Sequence, residues 1–329
     1  MRNELLTHIQ AEFPIAQRPF ELLGQKIGCS EEEALRLYKE LKEQDIIRQT
    51  SAIFDTRSLG YRSSLVAFKV SDPEAAAPFI NSHPGVSHNY ERDHEFNLWF
   101  TLAVEPDSAL GLEGTVELMA QKVGAQEFLI LPTKKMFKIK VQLDMTGKGA
   151  KKEKVHHKKK KSFELQPHHK QLIKELQEDI EPVEEPFAGV VQRLGIGYDE
   201  LARLAKELQD GGYMRRFASI LRHRKAGFSA NAMVVWSVDE ERAEEIGQKV
   251  AAFKAVSHCY LRPTYPNWPY PLFSMIHGRS KEEVEEVVAD IAKEIEPKDF
   301  RYLYSTKEFK KQRIKYFSEQ FKEWERRYG

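Results

Sequence analysis

The sequence has few cysteines and no long apolar runs. Only Cys29 and Cys259 occur among 329 residues, too few for a disulfide framework or a thiolate metal site of their own. No apolar stretch approaches the roughly 18 residues of a membrane span, and the polar start at residues 1–4 is not typical of a secretory signal. We therefore expect a cytoplasmic protein without a membrane partner.

Familiar catalytic motifs are also missing from the sequence. It contains no Walker A loop, Rossmann fingerprint, His-Glu-x-x-His or Gly-x-Ser-x-Gly pattern. Its 41% hydrophobic and 31% charged residues, with a formal net charge of +1, exclude a wholly disordered chain. The length predicts two or more domains.

The balanced charge hides one strongly basic segment. Residues 148–161 hold eight lysines and one glutamate, a net charge of +7, so the rest of the chain sums to −6. A basic run can bind nucleic acid or another acidic surface. Because this one lacks apolar periodicity and aromatic residues, it is more typical of a flexible linker.

An internal repeat relates the two sides of that linker. The offset is 167 residues at first and 170 further on, far longer than a solenoid period, which indicates duplication of a whole domain pair. The matches include Pro19-Phe20 with Pro186-Phe187, Gly60 with Gly227, and Val86-Ser87-His88 with Val256-Ser257-His258.

Each half has a helical part followed by an αβ part. The first predicts a winged helix-turn-helix, and the second has the order β-α-β-β-α-β, which is typical of a ferredoxin-like domain. The predicted fold class is therefore α+β, in tandem duplication. The predicted boundaries are 1–60 and 61–145 for the first half, 146–166 for the linker, and 167–226 and 227–329 for the second half.

The helix-turn-helix pattern raises the question of DNA binding. The two would-be recognition helices begin Glu31-Glu32-Glu33 and Tyr198-Asp199-Glu200. Acidic residues at a helix start repel the phosphates that such a helix must approach. We therefore expect these helices to serve packing or dimerisation rather than DNA binding.

Cationic side chains concentrate in residues 214–225 of the second half. In a regular strand Arg216, Arg222 and Arg224 share one face with apolar neighbours, which suits a large polyanionic ligand with a flat apolar body, since guanidinium groups grip carboxylates bidentately. The alternative is a solvated basic strand face paired with the acidic helices. The matching residues 48–57 have lost most of this charge.

A second cluster spans residues 256–273. His258, Tyr260 and Arg262 alternate, which predicts an acid–base group, a hydrogen-bond donor and an anion anchor on one strand face. The following loop has four prolines and large aromatic residues, and it suits stacking on a planar ligand. A proline-stiffened hairpin with ordinary aromatic packing is the alternative. The first half repeats the pattern at His88, Tyr90 and Arg92.

These motifs resemble a known family. The duplicated plan resembles the Lrp/AsnC regulator fold, and within it the sirohaem decarboxylases. Residues 87–92 (Ser-His-Asn-Tyr-Glu-Arg) and 97–102 (Asn-Leu-Trp-Phe-Thr-Leu) resemble the A-type subunit. Residues 221–228 (Leu-Arg-His-Arg-Lys-Ala-Gly-Phe), 230–236 and 256–260 resemble the B-type subunit. The chain therefore resembles a natural fusion of both subunits.

The resemblance implies decarboxylation of the C12 and C18 acetate side chains of sirohaem, giving 12,18-didecarboxysirohaem in alternative haem or d-type haem biosynthesis. It implies no cofactor, since the iron belongs to the substrate. Sirohaem is the expected partner, and the two halves form a pseudo-heterodimer that could assemble further. A transcription regulator and a non-catalytic tetrapyrrole-binding protein are the alternatives.

The site expected from these arguments has catalytic and substrate-binding members. His258 serves as general acid or as an axial ligand of the substrate iron, and Tyr260 and Arg262 orient the reacting acetate. Arg222 is the fourth expected catalytic residue. The expected substrate-binding residues are Arg215, Arg216, His223, Arg224, Trp268, Tyr265, Lys307 and His88.

Overall fold

The structure is a computed structural model that describes residues 1–139, 163–222 and 230–329. The predicted linker up to residue 162 lies outside the described residues, as do His223 and Arg224. Among the described residues, no helix has both the length and the apolar character needed to cross a membrane.

The elements of the first half follow the predicted order of a helical part and an αβ part. They are α1 (Arg2–Ala11), α2 (Pro19–Ile27), α3 (Glu31–Glu43), β1 (Ile47–Phe54), β2 (Arg62–Lys69), α4 (Pro73–Ser82), β3 (Val86–Arg92), β4 (Leu98–Val104), α5 (Gly111–Val123), β5 (Glu127–Leu131) and β6 (Lys135–Ile139).

The second half repeats this order, with a short 3-10 helix at Glu240–Arg242 and a terminal α-helix added. Its elements are α6 (Pro167–Leu176), α7 (Ala188–Leu194), α8 (Tyr198–Asp210), β7 (Met214–Leu221), β8 (Ala230–Ser237), α9 (Ala243–Ala252), β9 (Val256–Leu261), β10 (Leu272–Gly278), α10 (Lys281–Ile295), β11 (Asp299–Leu303), β12 (Ser305–Lys311) and α11 (Gln320–Tyr328).

The helical parts of both halves belong to one compact unit, made of Met1–Tyr61, the described part of Asp144–Arg222, and Lys315–Ser318. The turn between α2 and α3 is built locally. Gly28 ends α2 with a positive φ of 75°, and the Ser30 hydroxyl caps α3 by accepting from the Glu33 amide at 3.2 Å.

The strand predicted after the helices is present in each half of this unit. Its partner is the equivalent strand of the other half: β1 pairs antiparallel with β7, rather than with a wing strand of its own half. A buried hydrogen-bond chain fixes the pair, because the Tyr38 hydroxyl donates to Thr50 Oγ1 at 2.6 Å, and Thr50 Oγ1 lies 2.6 Å from Ser219 Oγ.

The αβ parts belong to the second unit, made of the described parts of Arg62–Leu143 and His223–Ile314 together with Glu319–Gly329. Each forms a ferredoxin-like sheet of four of its own strands. The fifth strand comes from the other half, since the sheet orders are β12-β3-β4-β2-β5 and β11-β8-β10-β9-β6. The two halves are thus joined by reciprocal exchange of their last strands.

The two sheets meet through a shared apolar cluster. One face of each sheet packs against its own helices. The third cluster joins buried residues of both halves, including Trp99 and Leu131 from the first and Val235, Trp268 and Phe273 from the second. The side chains on this shared face therefore form the surroundings of β3 and β9.

Candidate functional site

The predicted His-Tyr-Arg row lies along β9. Cys259 is completely buried in the core between the sheet and its helices. Because strand side chains alternate, His258 and Tyr260 lie on the opposite face, with ring centroids 6.1 Å apart. The Arg262 guanidinium carbon lies 5.0 Å from the Tyr260 ring centroid. The structure therefore brings the three residues together.

A β-bulge precedes His258 and gives the row its local shape. Val256 pairs with Ile276 and His258 with Met275, which leaves Ser257 as an extra residue in β9. Bulges redirect a side chain out of the regular alternation. Ser257 and His258 are neighbours in sequence, yet their side chains are within hydrogen-bond distance.

Ser257 connects two histidines. Its hydroxyl oxygen lies 2.8 Å from His258 Nδ1 and 2.7 Å from His277 Nε2. Because Nδ1 of His258 is engaged by Ser257, Nε2 is the nitrogen left for a ligand. Burial, and secondarily the nearby His277, lowers the pKa of His258 below its ordinary value. The imidazole is therefore predominantly neutral at pH 7.

The first half repeats the row with one difference. His88 and Tyr90 have ring centroids 6.2 Å apart, and Ser87 is again the bulged residue, 3.0 Å from His88 Nδ1. Here the second partner of the serine is Thr101 Oγ1, at 2.6 Å. The position equivalent to His277 holds Ala103, so among the described residues the arrangement of two imidazoles on one hydroxyl occurs in the second half and not in the first.

Arg262 lies in surroundings different from those of an exposed anion anchor, and its predicted role stays a prediction. Its side chain is buried, donates from Nη1 to the carbonyl oxygen of Leu131, and stacks over Tyr260 and Phe273. The equivalent Arg92 donates to the Leu303 carbonyl at 2.6 Å. Each arginine bonds the backbone of the other half, so it joins the two sheets rather than presenting an exposed anchor to an acetate.

Two residues of the predicted stacking loop contact the first half of the chain. Trp268 is 1% exposed and packs against Trp99, with ring centroids 5.3 Å apart. The Tyr265 hydroxyl donates to the Ile130 carbonyl at 2.6 Å. The loop therefore packs on the first half, and Trp268 contributes to the core there. Its predicted contact with a ligand stays a prediction.

The arginines of β7 and its end differ in their surroundings. Arg215 Nη2 is 2.9 Å from Asp55, and Arg222 Nε is 2.8 Å from Asp45. Arg216 is half-buried, and burial followed by the charge of Arg215 lowers its pKa. The Arg216 guanidinium makes no hydrogen bond or ion pair with residues 1–139, 163–222 and 230–329.

Lys307 lies on the exchanged strand β12 next to β3. Its Nζ is 2.6 Å from a carboxylate oxygen of Glu74, and it is about half exposed. The part of the chain that the structure describes holds no group of three or more His, Cys, Asp or Glu side chains that could bind a metal.

Sequence reasoning assigned no role to Ser257 or His277. A signal was available, since Ser257 matches Ser87 in the repeat whereas His277 replaces Ala103. The two halves therefore differ in chemistry at this one position, which makes it a candidate for a role confined to one half. The bulge that brings the three side chains together could not be read from the pattern.

The repeated helix-turn-helix and ferredoxin-like parts define a protein with the AsnC-like ligand-binding fold. The chain matches the family described as "AsnC-like ligand binding domain" over residues 58–138 and 225–310. Residues 2–48 match the "Siroheme decarboxylase NirDL-like HTH domain".

The chain belongs to the sirohaem decarboxylase family. It is 42% identical to the "Siroheme decarboxylase" of Hydrogenobacter thermophilus over 98% of this chain and 96% of that protein. The "Siroheme decarboxylase beta subunit" of Methanosarcina barkeri is 42% identical over 43% of this chain and 92% of its own length.

A solved structure agrees over nearly the full length. The siroheme decarboxylase NirDL, in co-complex with an iron-uroporphyrin III analogue, superposes with a TM-score of 0.79 and 37% identity, covering 98% of this chain and 96% of that chain.

Proposed function

We propose that this protein removes the carboxyl groups of the C12 and C18 acetate side chains of sirohaem. The products are 12,18-didecarboxysirohaem and carbon dioxide, and the tetrapyrrole product serves alternative haem or d-type haem biosynthesis. The observation that carries the proposal is the neutral, half-buried His258 fixed through Nδ1 by Ser257. Membership of the sirohaem decarboxylase family supports it.

The reaction needs a proton where carbon dioxide leaves. The bond between the acetate methylene carbon and its carboxyl carbon breaks, and the electron pair stays on the side-chain carbon, where the conjugated ring delocalises it. Nε2–H of His258 then supplies the proton that completes a methyl group, as a positioned general acid. No added cofactor is needed in this scheme.

The substrate carries several carboxylates that must be held in register. Arg216 is suited to this, because a half-buried guanidinium without a described partner gains most from a carboxylate. The ion pairs of Arg215 and Arg222 lie near the surface, and such pairs contribute only about 0–1 kcal/mol. A substrate carboxylate can therefore replace Asp45 on Arg222 at small cost.

Tyr260 completes the reacting side of the site. It lies beside His258 on the shared face, with the buried Arg262 behind its ring. A phenol held in this way can donate a hydrogen bond to a carboxylate. We assign Arg262 a positioning role, because it fixes the ring of Tyr260 and does not itself carry the anion.

Under this proposal the fusion of the two halves lets a strand of one half complete the sheet of the other. β6 of the first half pairs with β9, which is the strand that carries His258 and Tyr260. Separate subunits have to associate before that sheet is complete, which supports a pseudo-heterodimer within one chain. The two free cysteines agree with a cytoplasmic location.

A DNA-binding regulator is the competing function. The first turn of α3 is acidic, and Glu31 is held there by Arg18. A carboxylate fixed at the start of the would-be recognition helix opposes approach to phosphates. Salt-sensitive binding to duplex DNA would favour the regulator instead.

The test compares turnover of site variants under anaerobic conditions. We expect His258→Ala and Arg222→Ala to slow sirohaem decarboxylation by about 10²-fold or more, with an unchanged melting temperature. Arg203→Ala is the matched control, since it removes a comparably exposed arginine with ion pairs on α8. Wild-type rates in both site variants would contradict the assignment.

A further inference from the structure

The hydrogen-bond chain behind His258 has a fixed proton count. Ser257 has one hydroxyl proton and two imidazole nitrogens within 2.8 Å. It can donate to at most one of them, and the other then donates to the serine oxygen. The Met275 carbonyl oxygen, at 3.4 Å, is a more distant acceptor for the same hydroxyl. Each arrangement of the chain thus fixes one tautomer of His258.

The two arrangements give His258 opposite properties. When Ser257 donates to Nδ1 of His258, Nε2 carries the proton and is a donor. When Nδ1 carries the proton and donates to Ser257, Nε2 has a lone pair and is an acceptor. Moving one proton along each hydrogen bond toward His258, together with release of the Nε2 proton, converts the first state into the second.

We propose that His277 and Ser257 form a proton relay that resupplies His258 during decarboxylation. The inference rests on the proposed function, in which His258 is the acid. His277 begins as imidazolium and passes its Nε2 proton to Ser257. Ser257 passes its own proton to Nδ1 of His258, while Nε2 of His258 protonates the side-chain carbon. His277 ends neutral, and Nε2 of His258 is left without a proton. Water then protonates Nε2 of His258 while its Nδ1 proton returns through Ser257 to Nε2 of His277, which restores the starting state.

This relay removes a difficulty that burial creates. Burial disfavours the imidazolium form of His258, yet the reaction consumes one proton for each carboxyl group lost. With the relay, His258 is neutral before and after the transfer and only changes tautomer. The charged form is needed only at His277, which is not fully buried.

The first half supplies an internal comparison. The His277 amide donates to the Ala255 carbonyl at 3.0 Å, and the Ala103 amide donates to the Gly85 carbonyl at 3.0 Å, so the two residues hold equivalent positions. Ser87 bonds a threonine hydroxyl instead of a second imidazole. A hydroxyl cannot store a proton at neutral pH, so the relay exists only in the second half.

The relay assigns His277 as a positioning residue that acts through His258. The variants His277→Gln and His277→Ala remove the second imidazole without touching His258. Glutamine retains an amide that can hydrogen-bond Ser257 but cannot pass a proton through itself. The matched control is His168→Gln, which replaces an exposed histidine on α6.

The experiment measures single-turnover decarboxylation of sirohaem, its dissociation constant from the spectral change on binding, and the melting temperature. We expect His277→Gln to lower the rate at least tenfold with unchanged dissociation constant and melting temperature. Added imidazole should restore much of the rate in His277→Ala. The wild-type solvent isotope effect should indicate more than one proton in flight, and His277→Gln should reduce it to one.

Each other outcome overturns the relay. A wild-type rate in His277→Gln, with His258→Ala still slowed as expected, removes the relay and retains the proposed function. A slower His277→Gln with weakened binding or a lowered melting temperature, and no imidazole rescue of His277→Ala, indicates a structural role instead. If the wild-type protein forms no product, the proposed function fails and the relay fails with it.

Discussion

The buried Arg262 provides the sharpest test of the structural account. Its guanidinium bonds the Leu131 carbonyl of the first half and stacks on two rings, with centroid distances of 5.0 Å to Tyr260 and 5.3 Å to Phe273. We therefore expect Arg262→Met, which keeps the length and apolar stem of the side chain, to destabilise the unit containing both sheets.

The magnitude follows from the interactions that the substitution removes. A hydrogen bond from a charged group contributes about 1.5–3 kcal/mol, and each cation–π interaction about 0.5–1 kcal/mol or more. Relief from burying the charge offsets part of this sum, which leaves about 3 kcal/mol. For a unit of this size that corresponds to a melting temperature lowered by roughly 6–12 °C.

The assay is calorimetric melting of Arg262→Met and of the matched variant Arg92→Met, which loses the reciprocal bond to Leu303. Both should fall by similar amounts, and sirohaem affinity should change little at temperatures where the variants are folded. If Arg262→Met melted like the wild type yet lost sirohaem binding, Arg262 would be a direct substrate ligand and our reasoning would be refuted.

Two further predictions concern the cores. Trp268→Leu should lower the free energy of unfolding by about 2–4 kcal/mol, since it replaces a fully buried indole, with sirohaem affinity unchanged in a spectral titration; a larger effect on affinity than on stability would contradict the packing role. Buried His83 accepts from the Gly85 amide at 3.0 Å, and burial, then the charge of Lys310, lowers its pKa to about 3. As the pH falls below about 6.5, His83 is protonated in the unfolded chain but not in the folded protein. The free energy of unfolding therefore decreases by about 1.4 kcal/mol for each pH unit from about pH 6.5 down to about pH 3, and it is not reduced by His83 above about pH 6.5. Urea unfolding across this range should show the slope, and His83→Asn should remove that contribution; equal slopes in both proteins would contradict it.

Much of the fold could be predicted from the sequence because helical apolar spacing and strand alternation are both local patterns. Apolar spacing located α3 and α8, and alternation located β3 and β9, each with its equivalent in the other half. The exchange of β6 and β12, and the pairing of β1 with β7, are contacts between halves. Local patterns cannot distinguish a strand that pairs within its own half from one that pairs across.

The arrangement of the site residues could be predicted where side chains alternate regularly along a strand. It could not be predicted where a bulge interrupts that alternation. His258 and Tyr260 share a face as their spacing predicts. The role of Ser257 could not be predicted because a bulge interrupts the alternation. Trp268 and Arg262 were expected to contact substrate because aromatic and cationic residues recognise flat anions, yet the same properties let them bury the surface between two sheets.

The central claim is most directly tested by the product mass after anaerobic incubation of the purified protein with sirohaem. We expect a tetrapyrrole lighter by two carbon dioxide molecules, with methyl groups at C12 and C18. A changed absorption spectrum without any loss of mass would contradict it and would make the protein a tetrapyrrole-binding protein instead.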